Sequence, residues 1–242
     1  MTVYGLDDAI IFPPADWARS DGLLAVGGDL STPRLITAYR LGIFPWYNEG
    51  DPILWWSPDP RMVLFPKEFY INRSLRRVLK RGEFSFTMDA AFADVVEQCA
   101  YQPEPEREHT WITPDMRAAY VALHEAGYAH SVECWRGGCL VGGLYGVAIG
   151  RCFFGESMFS AASNASKAAL ACLTAHLRRW RYEIIDCQLP SGHLRSLGAR
   201  EIPRSEYLQY LRRGTALPPR PSPWELEIDP LDWGNDGPSY QI

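Results

Sequence analysis

The sequence predicts a mixed α/β fold. Capped, helix-periodic segments alternate with short apolar runs that stop at glycines. Three such runs follow one another between residues 130 and 157, and a long capped helix then leads into another strand. In chain order, Gly27-Gly28-Asp29-Leu30 reads as a tight turn. Ser31-Thr32-Pro33 then starts a short helix through about Arg40, with Pro33 in the first turn where its missing N–H loses no partner. Residues 72–81 and 90–101 read as helices. Thr113-Pro114-Asp115 opens another, with Met116, Tyr120 and Leu123 as its apolar stripe and Gly127 as its stop. A meander of strands over 130–135, 140–148 and 151–157 follows, broken at Gly137-Gly138 and Gly150. Ser163-Asn164 caps a long helix carrying Leu170, Leu173, Leu177 and Trp180 on one face. A strand over 183–188, a short helix ending near Gly198 and a last helix over 205–212 complete the order.

Three regions differ in composition. Residues 1–62 form a small domain rich in Trp, Pro and Gly, closed by Ser57-Pro58-Asp59-Pro60 as a hinge or linker. Residues 63–216 carry the catalytic α/β domain, and 217–242 form a Pro-rich, acidic, loosely held tail.

With 242 residues, 47% hydrophobic and 22% charged, the chain reads as a soluble globular protein. It has no apolar run of about eighteen residues that could span a membrane. Met1 to Ala9 holds two Asp and no Lys or Arg, so it does not open a signal peptide, and the expected place is the cytoplasm. The six cysteines include no CxxC pair and read as buried free thiols, and the five histidines share no metal-ligand spacing. Neither a metal nor a cofactor is expected. No phosphate-binding glycine loop follows a strand, and no HExxH occurs. A net charge of −5 argues against nucleic acid only on average, so the distribution of charge decides.

Arg73, Arg76, Arg77 and Lys80 recur at helical spacing with Arg81 beside them, opposite Leu75, Val78 and Leu79. No acid interrupts them, which suits a phosphate backbone; the other reading is a solvated face. Trp46, Trp55, Trp56 and Trp111 sit in Pro-flanked, turn-like segments. They could stack on a nucleobase or glue the small domain to the large one. Strand alternation places Asp186 and Gln188 on one face and Cys187 on the other, a carboxylate beside an amide that can accept from an incoming amine. Glu156, read as the end of a strand, is a candidate for holding a cation or amine; a surface glutamate is the alternative.

Several blocks carry a resemblance over most of the chain before the tail. They include 22–30 (GLLAVGGDL), 42–47 (GIFPWY), 51–61 (DPILWWSPDPR), 141–147 (VGGLYGV), 155–160 (GESMFS) and 185–188 (IDCQ). These resemble the leucyl/phenylalanyl-tRNA–protein transferase family. The resemblance implies a small N-terminal domain beside an acetyltransferase-like (GNAT-like) domain. It implies transfer of Leu or Phe, less readily Met, from aminoacyl-tRNA to proteins with an N-terminal Arg or Lys, marking them for N-degron degradation. It maps the catalytic pair to Asp186 and Gln188 and the adenosine-stacking residues to Trp46 and Trp111. The amino-acid pocket falls on Leu144, Phe153, Met158, Leu173 and Ile185, and the tRNA-binding helix on Arg73 to Arg81. Family members carry an Asn before an acid where this chain has Ser191-Gly192. The expected mechanism is one-step aminolysis by a monomer, with Gln188 accepting from the α-amine and Asp186 orienting Gln188. Two other readings are an acetyl-CoA-dependent acetyltransferase and a non-enzymatic tRNA-binding module. The first would want a glycine-rich loop before the long helix, and Phe159-Ser160-Ala161-Ala162-Ser163 has no glycine.

Overall fold

A computed structural model describes residues 2–100 and 111–228. Strands β1 (Tyr4–Leu6), β2 (Leu23–Gly27), β3 (Phe44–Pro45) and β4 (Leu54–Trp56) form a small sheet in the order β1-β2-β4-β3, with helix α1 (Thr32–Arg40) between β2 and β3. Gly27 and Gly28 make the expected turn, with φ of 91° and 70° that a side chain would resist. Arg34 on α1 is fully buried and donates to the backbone oxygens of Asp7 and Ala9. That ties the start of the chain to this turn.

The remaining strands build a seven-stranded sheet: β5 (Arg61–Leu64), β6 (Ser85–Met88), β7 (Ala129–Arg136), β8 (Cys139–Ile149), β9 (Cys152–Ser160), β10 (Ile184–Gln188) and β11 (Arg200–Ile202). Their order is β11-β5-β10-β9-β8-β7-β6. Every pair is antiparallel except β9 with β10, which are joined by the crossover helix α5 (Ala165–Arg179). The mixed α/β class is the one the sequence predicts.

Local chemistry explains the helices beside it. For α2 (Arg73–Arg81), the Asn72 side chain accepts from Leu75 N at 2.8 Å, and Gly82 ends the helix in the left-handed region. For α4 (Pro114–Glu125), Thr113 accepts from Met116 N at 3.2 Å. The other helices are α3 (Phe92–Ala100), α6 (Gly192–Arg195) and α7 (Arg204–Thr215).

Alternation along the central strands feeds two cores. Val63, Phe154 and Ile184 face one core together with α1, α3, α4, α7 and the small sheet. Met62, Leu64, Phe153 and Ile185 face the other, which α2 and α5 cover. The first core runs unbroken from Leu24 and Trp55 to Tyr145 and Tyr207, so the small sheet is packed onto the large one.

The structure corrects several expectations. Ser57 to Pro60 is no free hinge: Ser57 is fully buried, and the Arg204 backbone N–H donates to Asp59 Oδ1 at 3.0 Å. Helix α5 is buried on nearly every side, with Ala168, Ala171, Thr174 and His176 inside as well as the leucine stripe. The segment after α7 is not loose up to Ile228, because Trp224 is sunk in the second core at 1% exposure. Residues 229–242 and Tyr101 lie outside the described residues. The six cysteines are free, as expected, but Cys139 is exposed at the β7–β8 turn and Cys187 is only half-buried.

Candidate active site

Two β-bulges create the site. On β9, Ser157 pairs with Tyr145 and Gly155 with Gly146, leaving Glu156 as an extra residue. On β10, Asp186 pairs with Val63 and Gln188 with Met62, leaving Cys187 as the extra one. A bulge re-aims the side chains around it. Gln188 also takes φ of +63°, a left-handed conformation uncommon outside glycine. The parallel pairing of β9 with β10 ends at Phe154 and Asp186. Both bulges therefore sit where the central strands part.

The bulge on β10 overturns the simple alternation expected for Asp186 and Gln188. Asp186 shares the face of Val63, in the first core, whereas Gln188 shares the face of Met62, in the second. Their roles differ accordingly. The Asp186 carboxylate is fully buried and grips Arg61 with two bonds, Nε to Oδ1 at 2.8 Å and Nη2 to Oδ2 at 2.7 Å. Tyr207 OH donates to Oδ2 at 2.8 Å. Phe44 and Tyr207 place their rings 4.7 Å from the Arg61 guanidinium. Asp186 reaches Gln188 only through the backbone, accepting its N–H at 2.9 Å. It fixes the bulge rather than the carboxamide.

The carboxamide is held by Glu156, which is mid-strand rather than at a strand end. Gln188 Nε2 donates to Glu156 Oε1 at 2.9 Å, and Tyr120 OH donates to Oε2 at 2.6 Å. The hydroxyls of Tyr39 and Tyr120 lie 2.7 Å apart, so with Tyr120's proton given to Glu156, Tyr39 is the donor in that pair. Burial pushes both phenols well above their ordinary range, so they stay protonated. Burial also lifts the Glu156 carboxyl to about 7, against the hydrogen bond from Tyr120. With Nε2 committed to Glu156, the remaining polar atom of the Gln188 amide is an acceptor oxygen.

A cavity of about 430 Å³ opens in front of these groups. Gln188 and Glu156 line it, and Asp186 does not. Trp46 and Trp111 line it as an aromatic pair from different parts of the chain, and Leu144, Phe153, Met158, Leu173 and Ile185 supply an apolar wall. The cavity thus brings together Gln188, Glu156, Trp46, Trp111 and the apolar pocket residues, whereas Asp186 sits behind it and Trp55, Trp56 and the basic helix are not part of its lining. Trp46 is 40% exposed, with Trp56 edge-on at 5.7 Å donating to the Trp46 carbonyl. Trp55 is fully buried and donates to Gly27 O, so of the four tryptophans it is glue. Arg73, Arg76, Arg77, Lys80 and Arg81 are all exposed on α2, while Leu75 and Leu79 are buried beneath them. Ser191 lines the cavity and caps α6, accepting from Leu194 N at 3.3 Å. Arg61, Tyr207, Tyr120 and Tyr39 carry the site from behind, and the sequence reading gave none of them a role in it.

A family model described as leucyl/phenylalanyl-tRNA protein transferase matches residues 63–212, and the model of that family's N-terminal domain matches 28–59. The chain belongs to this family. The leucyl/phenylalanyl-tRNA–protein transferase of Syntrophotalea carbinolica is 57% identical over 224 residues, covering 91% of this chain and 97% of that one. The one of Azotobacter vinelandii is 58% identical over 213 residues, covering 87% and 94%. Membership in this family makes the chain an aminoacyltransferase. Remote likenesses among solved structures include L-PGS from Bacillus licheniformis, at TM-score 0.39 and 10% identity over 70% of this chain and 54% of that one. A GCN5-related N-acetyltransferase from Kribbella flavida has TM-score 0.33 and 12% identity over 69% and 59%. Among the described residues, no helix is long and apolar enough to cross a membrane, and no group of His, Cys, Asp or Glu could hold a metal ion.

Proposed function

We propose that this chain carries out the reaction its family is named for in the cavity between β9 and β10. Leu or Phe, and less readily Met, moves from aminoacyl-tRNA onto the N-terminal Arg or Lys of an acceptor protein. In the cell this is a cytoplasmic step that marks the acceptor for N-degron degradation, and a monomer suffices for it.

The terminal adenosine stacks on Trp46 and Trp111, and the amino-acid side chain enters the apolar wall. Its tRNA runs back onto the cations of α2. The acceptor's α-amine, with an ordinary pKa of about 7.7–8.0, is substantially neutral near neutral pH. It donates to the Gln188 carbonyl oxygen and attacks the ester carbon. The C–N bond forms, the bond to the ribose oxygen breaks, and that oxygen receives the proton the amine gives up. Glu156 orients Gln188 through its side chain, and Asp186 through its backbone.

The observation that carries this reading is the Gln188 Nε2 to Glu156 Oε1 bond, which leaves an acceptor atom on an amide lining the cavity. Purified chain should transfer Phe from Phe-tRNA to an Arg-starting peptide, detected by mass spectrometry. Acetylation of that peptide from acetyl-CoA, with no transfer from Phe-tRNA, would refute it. Binding of charged tRNA without transfer would leave only a tRNA-binding module.

A further inference from the structure

The segment after α7 turns back into the second core, behind the cavity wall. The Trp224 indole lies flat on the His130 ring, with centroids 3.9 Å apart and planes 3° apart. Its backbone N–H donates to Asp89 Oδ2 at 2.7 Å, an oxygen that also binds His130 Nδ1 at 2.8 Å. Three residues on, the Glu227 backbone N–H donates to His176 Nε2 at 2.9 Å, and its carboxylate accepts from Trp180 Nε1 at 2.9 Å. The segment thus grips α5 and the residue that ends it, and Leu173 of that helix is part of the cavity wall.

Trp224 also meets the cavity wall on β9, with its ring 5.9 Å from that of Phe153. Phe153 is packed so closely against β8 that a Cβ on Gly146 would stand 2.6 Å from its ring. Phe153 therefore has bare backbone against it on β8, and Trp224 also packs on it.

We propose that Trp224 determines donor specificity: it positions Phe153 and α5, and so sets the depth of the pocket that receives the amino-acid side chain. This rests on reading the apolar wall of the cavity as that pocket. Protein interiors hold few voids, and a buried ring next to a new void relaxes toward it. A smaller residue at 224 lets Phe153 settle back and deepens the pocket, which favours the larger donor.

The test compares kcat/KM for Phe-tRNA and Leu-tRNA. Trp224→Phe should shift the ratio toward Phe by about fivefold, below the effect of changing a directly contacting group by a methylene. Glu227→Ala, which loosens the clip without opening the core, should shift it the same way by a smaller factor. Affinity for tRNA should not change. In a Phe153→Leu background, Trp224→Phe should add nothing further to the ratio. Equal loss with both donors, or an unchanged ratio, overturns the proposal. If Trp224→Phe does not fold, Glu227→Ala decides on the same two outcomes. If Phe153→Leu leaves the donor ranking untouched, it is the pocket reading that fails. A Phe153 effect without a Trp224 or Glu227 effect fails this proposal alone.

Discussion

Arg61 and Asp186, 125 positions apart in sequence, form a two-bond ion pair with neither side chain exposed to solvent. Such a pair is costly to break from one side, because the remaining charge stays buried. Arg61→Met should therefore lower unfolding stability by about 3–5 kcal/mol, measured by urea denaturation. It should also slow transfer, because Asp186 holds the Gln188 backbone. A loss below about 1 kcal/mol would mean that Tyr207 alone can satisfy Asp186.

The Glu156 carboxyl gives stability a sign with pH. Its folded value is raised from 4.5 to about 7, so between those values the folded chain holds the proton that the unfolded chain releases. The stabilisation is complete below about 4.5 and is lost as pH rises through about 7. For a mostly buried group it amounts to about 3 kcal/mol. Unfolding free energies should fall across this window, and Glu156→Gln should flatten the fall. An equal slope in the variant would assign the dependence to another group.

Gln188→Ala should slow single-turnover transfer from Phe-tRNA to an Arg-starting peptide by roughly 100–1,000-fold, by analogy with the loss of one preorganised polar contact. Because Glu156 is bonded to the Gln188 carboxamide, the losses from Gln188→Ala and Glu156→Gln should not add. Additive losses would show two independent roles. Affinity for tRNA should stay near that of the unsubstituted chain in both single variants and in the double variant.

Changing Arg76 and Arg77 together to Ala should weaken binding of every tRNA alike and reduce the slope of log affinity against log salt by roughly 1–2. Both are exposed on α2, over buried Leu75 and Leu79, so folding should be unaffected. An unchanged slope would return this face to the solvent.

The sequence revealed most where structure is local. Asn72 and Thr113 cap the helices they precede, and Gly137, Gly138 and Gly150 separate strands of eight, eleven and nine residues. Strands β1 to β4 went unread because they hold only two to five residues each, too few to display a period. The partners of Asp186 were hidden because Arg61 and Tyr207 are near it only in space. The face of Gln188 was misassigned because alternation assumes an unbroken ladder, and neither bulge announces itself with a glycine at Cys187 or Glu156. Trp224 did leave a trace, a large aromatic within an otherwise polar, Pro-rich stretch.

The Arg61 guanidinium, held between Phe44 and Tyr207, joins residues made 163 positions apart, so its surroundings are completed in the order of synthesis. While the ribosome is still adding residues, Trp46 and Arg61 have emerged but Asp186 still lacks its phenol donor. The buried cluster of Phe44, Arg61, Asp186 and Tyr207 is therefore complete only after α7 has cleared the exit tunnel and closed on the first core. An interrupted translation product ending before Tyr207 leaves the Asp186 carboxylate one donor short and the Arg61 guanidinium open on one face.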